Sequence, residues 1–310
     1  MIVGQEQAVC AVNSMVKKKR IPGALLFYGP PGVGKFSLAT EFASMLEEDG
    51  RVYSFNHPDV FIVYPDYGYD REEVLSLRRE GRYYRLRRKK GTIKIDTIRE
   101  LIEQAYLTPY TGKYKIFILL EAHRMTEEAQ NAFLKVLEEP SSTTVFVLIT
   151  PEPGGLLPTV RSRLYPVRFA PLGERELREI LGERYMGEDV SGVEEFNLLH
   201  EDEYREMAEF VVERFFELDP VERIYETPEI RDVEIELLVQ VLRWVLSDII
   251  SIKTGGRLIF PHLQERIREV SGRYTLDELR ERMEKVDMAY TYSKQYVKPA
   301  LVYAYLMLEV

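Results

Sequence analysis

Short apolar runs alternate with amphipathic segments through the first 170 residues of the chain. The runs, which are rich in branched and aromatic residues, lie at 24–28, 59–65, 115–120, 143–150 and 165–169. Between them, segments such as 35–46 and 125–140 carry apolar residues at helical spacing. Strands that alternate with amphipathic helices are typical of a parallel sheet flanked by helices. The pattern therefore predicts an α/β domain over residues 1–170.

After residue 170 the pattern becomes helical and acidic. Residues 171–217 predict a small helical lid, and Pro220 lies in a predicted linker. Residues 231–310 contain at least three amphipathic helices, whose apolar stripes are explained either by packing within a domain or by a subunit interface. The expected architecture is an α/β domain at 1–170, a lid at 171–217 and an all-α domain at 218–310.

The first apolar run leads directly into a glycine-rich loop, GPPGVGKFS. In a phosphate-binding loop of the form G-x-x-x-x-G-K-[ST], backbone N–H groups and the lysine bind phosphate oxygens, and the hydroxyl holds Mg²⁺. Here Phe36 stands at the hydroxyl position, and Ser37 is rotated away from it by about 100° along the helix. The sequence predicts a phosphate cradle that does not hold the metal. Its residues are Gly29, Pro30, Pro31, Gly32, Val33, Gly34 and Lys35.

The end of the run at 115–120 is the second place where a metal contact is expected. In P-loop ATPases an acidic residue there holds Mg²⁺, and in the AAA+ branch a following glutamate orients the attacking water. This chain has Leu120 at the metal-holding position and Glu121 at the water-orienting position. Together with Phe36, this makes both positions that normally contact Mg²⁺ apolar. The sequence therefore predicts that Glu121 is a vestigial or weak catalytic base. The run at 143–150 ends in Thr150, where a phosphate sensor could lie.

A basic stretch from Arg78 to Lys90 interrupts the alternation of strands and helices, and it contains Tyr83 and Tyr84. Basic residues interleaved with aromatic ones can follow a phosphate backbone and stack on bases. They can equally form the solvated face of a surface hairpin. The sequence leaves both explanations open.

Composition and charge narrow the class of protein. The 310 residues are 45% hydrophobic and 30% charged, which indicates a soluble protein of two or three domains. The chain has no apolar run of membrane-spanning length and no signal-peptide pattern, and its single Cys10 excludes an internal disulfide, so we expect a cytoplasmic location. Residues 1–170 carry 24 basic and 20 acidic residues, and residues 171–310 carry 18 and 31. Only the N-terminal part is therefore suited to phosphates or nucleic acid.

Four further segments, all downstream of GPPGVGK, carry a resemblance to a known family. They are HPDV at 57–60, IKIDTIREL at 93–101, EAHRMTEEAQNAFLKVLEEP at 121–140 and LLPTVRSRL at 156–164. Together they closely resemble bacterial clamp-loader subunits of the AAA+ fold, and among these the delta-prime type of DNA polymerase III. The resemblance covers residues 1–170, and beyond them only the helical layout agrees.

The resemblance implies an AAA+ domain, a helical lid and a helical collar that joins five subunits in a ring which opens the sliding clamp. It implies that Ser162-Arg163 matches a ser-arg-cys motif, whose arginine reaches the ATP site of the neighbouring subunit; Leu164 replaces the cysteine. From the residues alone, an ion pair at a strand edge or helix end is the preferred explanation of Arg163. The four-cysteine module of many relatives is absent, so no zinc is expected. The second sensor arginine of the family is left open among Arg175, Arg178 and Arg184.

These features predict a clamp-loader subunit that does not hydrolyse ATP, donates Arg163 in trans and helps to load the sliding clamp on primed DNA. Weak binding of ATP or ADP is possible, because the glycines and Lys35 remain, but the chain is not expected to hold Mg²⁺. The expected partners are other loader subunits, contacted through the collar and Arg163, the sliding clamp, and primed DNA through the complex, with no membrane. Two alternatives stay open: a motor-type clamp-loader ATPase with Glu121 as base, and a DNA-binding AAA+ module outside the clamp loader.

Overall fold

The computed structural model of the chain divides into two compact units. The first comprises Met1–Ile180 and Ser191–Glu194, and the second Leu181–Val190 and Glu195–Val310. The residues that the structure describes are 2–87, 91–220, 222–223, 235–294 and 298–310. The finer division into an α/β domain, a lid and a collar stays a prediction.

A parallel sheet forms the centre of the first unit. Its strands, within the described residues, are β1 (Ala24–Tyr28), β2 (Val60–Val63), β3 (Lys115–Leu119), β4 (Thr144–Thr150) and β5 (Tyr165–Arg168). They lie in the order β2-β3-β4-β1-β5, and every neighbouring pair is parallel. β3 and β4 are buried along their whole length, as strands covered on both faces must be. The predicted parallel α/β sheet is confirmed.

Helices separate the strands along the chain. They are α1 (Glu6–Lys17), α2 (Lys35–Glu47), α3 (Arg71–Arg79), α4 (Tyr84–Arg87), α5 (Ile95–Ala105), α6 (Glu127–Glu138), α7 (Pro158–Arg161) and α8 (Glu174–Leu181). α5 and α6 pack against each other, and their apolar faces share one core with β3 and β4. Within that core Phe146 lies 5.4 Å from Phe117 and 5.1 Å from Phe133, ring centroid to ring centroid.

α5 and α6 begin in different ways. The Thr126 hydroxyl accepts a hydrogen bond from the first turn of α6, and the helix ends before Pro140. α5 has Lys94 at its cap position, although Asp96 and Thr97, just inside the helix, are residue types that suit a cap better. Asp96 instead lies inside the first turn, where its negative charge is favourable to the helix dipole.

The basic stretch forms α3 and α4 rather than a hairpin. Tyr83 and Tyr84 are buried, and the ring of Tyr83 lies edge-on to Tyr67 with the centroids 6.4 Å apart. Buried rings cannot stack on bases, so the stacking explanation is wrong for these two tyrosines, and the hairpin explanation is wrong for the described part of the stretch. The basic residues at 88–90 lie outside the described residues.

In its described residues, the second unit contains helices and no strand. Its α-helices are α9 (Val193–Leu199, whose first two residues belong to the first unit), α10 (Asp202–Phe210), α11 (Ile235–Thr254), α12 (Gln264–Ser271), α13 (Leu276–Lys294) and α14 (Pro299–Glu309). α11 packs against α10, α12 and α13, which favours internal packing as the explanation of its apolar stripe. Within the described ranges, no helix is both long enough and apolar enough to cross a membrane.

Candidate functional site

The glycine-rich loop lies at the edge of the sheet where all the parallel strands end. It follows β1 directly, while Glu121 comes two residues after β3, Thr150 ends β4, and Phe169 follows β5. Ligand sites of parallel α/β sheets form at this edge, because the strands point their carboxyl ends to it. α2 begins immediately after the loop, so its first N–H groups are available to an anion.

Close contacts require glycine at two positions of the loop. Gly29 has φ +140°, and a Cβ atom there would lie 2.2 Å from the carbonyl oxygen of Phe169. Gly32 has φ +71°, and a Cβ atom there would lie 2.2 Å from the backbone nitrogen of Glu194. Side chains are disfavoured in this backbone region, and these positions offer no space for one. The loop thus keeps the tight backbone course that a phosphate cradle needs.

Lys35 lies inside the loop. It is 4% exposed, and its ammonium donates hydrogen bonds to the carbonyl oxygens of Gly29, at 2.6 Å, and of Pro30. The cation is therefore held across the cradle rather than extended into water. This placement suits the binding of phosphate oxygens.

A segment remote in sequence, Ser191–Glu194, packs against the loop. The Val193 N–H donates to the carbonyl oxygen of Gly32 at 3.3 Å, and a Cβ atom on Gly192 would lie 2.4 Å from the carbonyl oxygen of Pro31. This packing places the backbone of a segment that is remote in sequence directly against the loop. Sequence reasoning missed the segment, since no motif marks it.

Phe36 closes the position from which a P-loop hydroxyl would bind Mg²⁺. Its ring is 9% exposed and lies 5.6 Å from the ring of Phe55, centroid to centroid. The guanidinium carbon of Arg78 lies 4.0 Å from the Phe36 centroid, a cation–π contact. Ser37 is exposed. Phe36 thus presents a ring, in contact with a guanidinium, at the position where a P-loop has a hydroxyl.

Glu121 is held on both carboxylate oxygens. The Tyr67 hydroxyl donates to Oε1 at 2.6 Å, and Arg124 Nε lies 2.8 Å from Oε2. Burial, together with the charge of Glu121, raises the pKa of Tyr67, so the phenol stays protonated and keeps donating. A carboxylate that is 1% exposed and engaged in this way is poorly placed to take a proton from water. Tyr67 and Arg124 were missed by sequence reasoning.

Mg²⁺ does not fit this donor set. The two positions that normally contact it are Phe36 and Leu120, which have no side-chain oxygen, and Leu120 is 3% exposed. Glu121, the nearest acid along the chain, is committed to Tyr67 and Arg124. At the two positions where a P-loop ATPase contacts the ion, both within the described residues, the chain therefore has no oxygen ligand.

Thr150, where the sequence allows a phosphate sensor, lies at the end of β4 and is fully buried. Its hydroxyl oxygen is 3.0 Å from His123 Nδ1 and accepts a hydrogen bond from the Glu152 N–H at 3.0 Å. These contacts fix the turn that follows β4. His123, which had no role in the sequence-based prediction, is its partner.

Arg163 lies on the surface just after α7, with 35% of its side chain exposed. Its Nη2 atom is 2.6 Å from Glu138 Oε1, and its Nη1 atom donates to the carbonyl oxygen of Thr159 at 2.7 Å. The Ser162 hydroxyl oxygen lies 3.5 Å from Nη1. Within the chain, the arginine makes the ion pair that the residues alone had favoured.

Gln130 holds the segment that leads to Arg163. Its amide nitrogen donates to the carbonyl oxygen of Gly155 at 3.1 Å, and its amide oxygen accepts from the Leu157 N–H at 2.7 Å. Leu157 is the cap residue of α7. Since Gln130 is 4% exposed and lies in α6, it ties the start of α7 to the core.

Two buried carboxylates hold the loop that precedes β3. Glu47 accepts from the N–H groups of Lys113 and Tyr114. The carboxylate of Asp59 accepts hydrogen bonds at 2.6, 2.7 and 2.9 Å from the backbone N–H groups of Tyr110, Thr111 and Gly112. Burial opposes the ionisation of Asp59, but these donors hold its pKa below the usual value. Sequence reasoning used HPDV at 57–60 as a family motif and missed this role.

His57 completes a group with Glu47 and Asp59 whose ligand atoms all lie within 4.8 Å of one another, the one such group among the described residues. Its Nδ1 atom accepts a hydrogen bond from the Asp59 N–H at 3.2 Å, so in the neutral ring the proton is on Nε2, which faces Glu47 at 3.8 Å. A metal-binding histidine has the opposite arrangement: it donates through the nitrogen that is not coordinated. The group therefore suits a structural clamp rather than a metal centre.

Comparisons with known proteins find similar chains among DNA polymerase III subunits. A family profile described as DNA polymerase III, delta subunit, matches residues 4–173. The DNA polymerase III subunit delta' of Bacillus subtilis is 26% identical over 299 residues, which cover 86% of this chain and 83% of that protein.

The DNA polymerase III subunit gamma/tau of Mycobacterium tuberculosis is 31% identical over 193 residues, which cover 58% of this chain but only 30% of that much longer protein. Among solved structures, a DNA polymerase III gamma subunit-related protein from Thermotoga maritima covers 96% of this chain and 97% of its own, at 17% identity and a TM-score of 0.46.

Proposed function

Since the chain belongs to the family described as DNA polymerase III, delta subunit, we propose that it is a clamp-loader subunit of the delta-prime type that does not itself hydrolyse ATP. In this proposal it donates Arg163 to the ATP site of a neighbouring subunit. Its helical second unit joins the other loader subunits, and the complex places a sliding clamp on primed DNA.

The observation that carries the proposal is the contrast between two arginines. Arg78 lies over Phe36, 4.0 Å from the ring centroid, and Phe36 stands where a P-loop has its metal-binding hydroxyl. Arg163 instead lies on the surface, where another protein can reach it. Phosphoryl transfer needs positive charge at the transferring phosphate. At Phe36 and Leu120, both within the described residues, the chain has no side-chain ligand for the metal, and it carries a suitable cation on its exterior.

Nucleotide binding by this chain is expected to be weak. The glycine backbone and the buried Lys35 favour phosphate, while the packing of Ser191–Glu194 against the loop and the missing metal contacts disfavour it. Without the metal, the negative charge on a bound triphosphate is only partly neutralised. A cradle of this kind does not by itself support turnover.

The purified chain is expected to release no more phosphate from ATP in the presence of Mg²⁺ than its Lys35→Ala variant does. The variant lacks the lysine cation of the loop, so its phosphate release measures the background rate. A motor-type ATPase would instead release phosphate measurably faster than this background, even without a neighbouring subunit, and would lose the difference in the variant. That outcome would replace the proposal with the motor-type alternative.

A further inference from the structure

The guanidinium of Arg163 is held from two sides. Glu138, the last residue of α6, contacts Nη2 at 2.6 Å, and the carbonyl oxygen of Thr159 in α7 accepts from Nη1 at 2.7 Å. A guanidinium carries five N–H donors. In the described part of the chain, these contacts leave the Nε hydrogen and one Nη2 hydrogen for an external anion.

Glu138 occupies a place where a negative charge is locally unfavourable. The C-terminal end of a helix carries a partial negative charge, so an acidic residue there is repelled. α6 nevertheless ends in Glu138 and is followed by Glu139, and of these two only Glu138 forms an ion pair with Arg163. The ion pair with Arg163 offsets this unfavourable interaction of Glu138 with the helix end.

We propose that Glu138 is a positioning residue, which fixes the guanidinium of Arg163 so that its remaining N–H groups meet the phosphates bound by the neighbouring subunit. This inference rests on the proposed function. A restraining role, in which Glu138 withholds the arginine, fits less well. Both side chains are substantially exposed, and an exposed ion pair is too weak to compete with phosphate oxygens in a closed subunit interface. Such a pair is strong enough to select one rotamer of a long side chain.

The test uses the clamp loader reconstituted with its other subunits and measures ATP turnover at the neighbouring site. Glu138→Ala is expected to lower the maximal rate about tenfold with little change in KM for ATP, because the arginine is present but less well oriented. Glu138→Gln is expected to keep most of the rate, since its amide oxygen accepts the same hydrogen bond. Glu139→Ala is the matched control and is expected to behave like the unmodified chain.

The decisive comparison is made in a chain that already carries Arg163→Ala. Adding Glu138→Ala to it is expected to lower the rate no further, because a positioning residue has nothing left to position. An additional loss in that background, an unchanged rate in Glu138→Ala alone, or a raised rate overturns the inference. If Arg163→Ala itself leaves turnover unchanged, the proposed function fails and the inference fails with it. Equal thermal unfolding of the purified variants shows that the rates compare folded proteins.

Discussion

Replacing Arg163 by alanine in a reconstituted clamp loader is expected to lower ATP hydrolysis at the neighbouring site by about a thousandfold, since an arginine supplied in trans contributes about 10³–10⁵ to such rates. The physical reason is the loss of positive charge where negative charge develops on the transferring phosphoryl group. Ring assembly is expected to survive, because the contacts that the arginine makes with described residues, Glu138, Thr159 and Ser162, lie at the surface.

Arg161→Ala is the matched control, since Arg161 is also exposed and ends α7 two residues earlier. Several active sites in one ring would hide the loss, so the other sites are silenced by replacing their loop lysines. Turnover is then measured at the remaining site, and ring formation is checked by size-exclusion chromatography. Equal rates for the Arg161 and Arg163 variants would contradict the assignment of Arg163.

Asp59→Ala is expected to reduce the free energy of unfolding of the first unit by about 3 kcal/mol, because three backbone N–H groups lose a charged acceptor. The ionised carboxylate of Asp59 contributes to the free energy of unfolding above about pH 4, the ordinary pKa of aspartate. Because the native pKa is lowered, protonation favours the unfolded state, and the contribution disappears as the pH falls below that range. The difference between variant and unmodified chain is therefore expected to shrink in acid.

Hydrogen exchange of the peptide that covers residues 110–116 measures this effect locally. Fluorescence would not, because the single tryptophan, Trp244, belongs to the second unit. The control is Asp96→Ala, which removes an aspartate whose side chain is 79% exposed and is expected to change stability by less than about 0.5 kcal/mol. Protection that is unchanged in the Asp59 variant would show that the loop is held by other contacts.

The sheet and the cradle could be predicted because their signals are local. Each strand is an apolar run of the right length, and the glycine-rich loop follows one of them directly. The loss of the metal-binding side chains at Phe36 and Leu120 was visible in the sequence, because each position has a fixed place relative to its loop or strand. The start of α5 is less visible in the sequence, because Asp96 and Thr97 suit a cap as residue types but the helix begins before both of them.

The partners of these residues could not be predicted because they are distant in sequence. Tyr67 meets Glu121 across 54 positions, and Arg163 meets Glu138 across 25. Tyr83 and Tyr84 have the composition of a binding stretch, but tertiary packing buries them. Periodicity indicates which face of an element is apolar, but it does not indicate which side chains that face will contact. The hydrogen bond and ion pair that engage Glu121 are therefore evident only in the fold.

The most direct test of the central claim compares two variants of this chain, Lys35→Ala and Arg163→Ala, in the same reconstituted loader. The account predicts that Lys35→Ala supports ATP turnover and clamp loading at the level of the unmodified chain, because this chain's own cradle does no chemistry, whereas Arg163→Ala loses turnover at the neighbouring site. A loader that loses activity with Lys35→Ala and keeps it with Arg163→Ala would contradict the account.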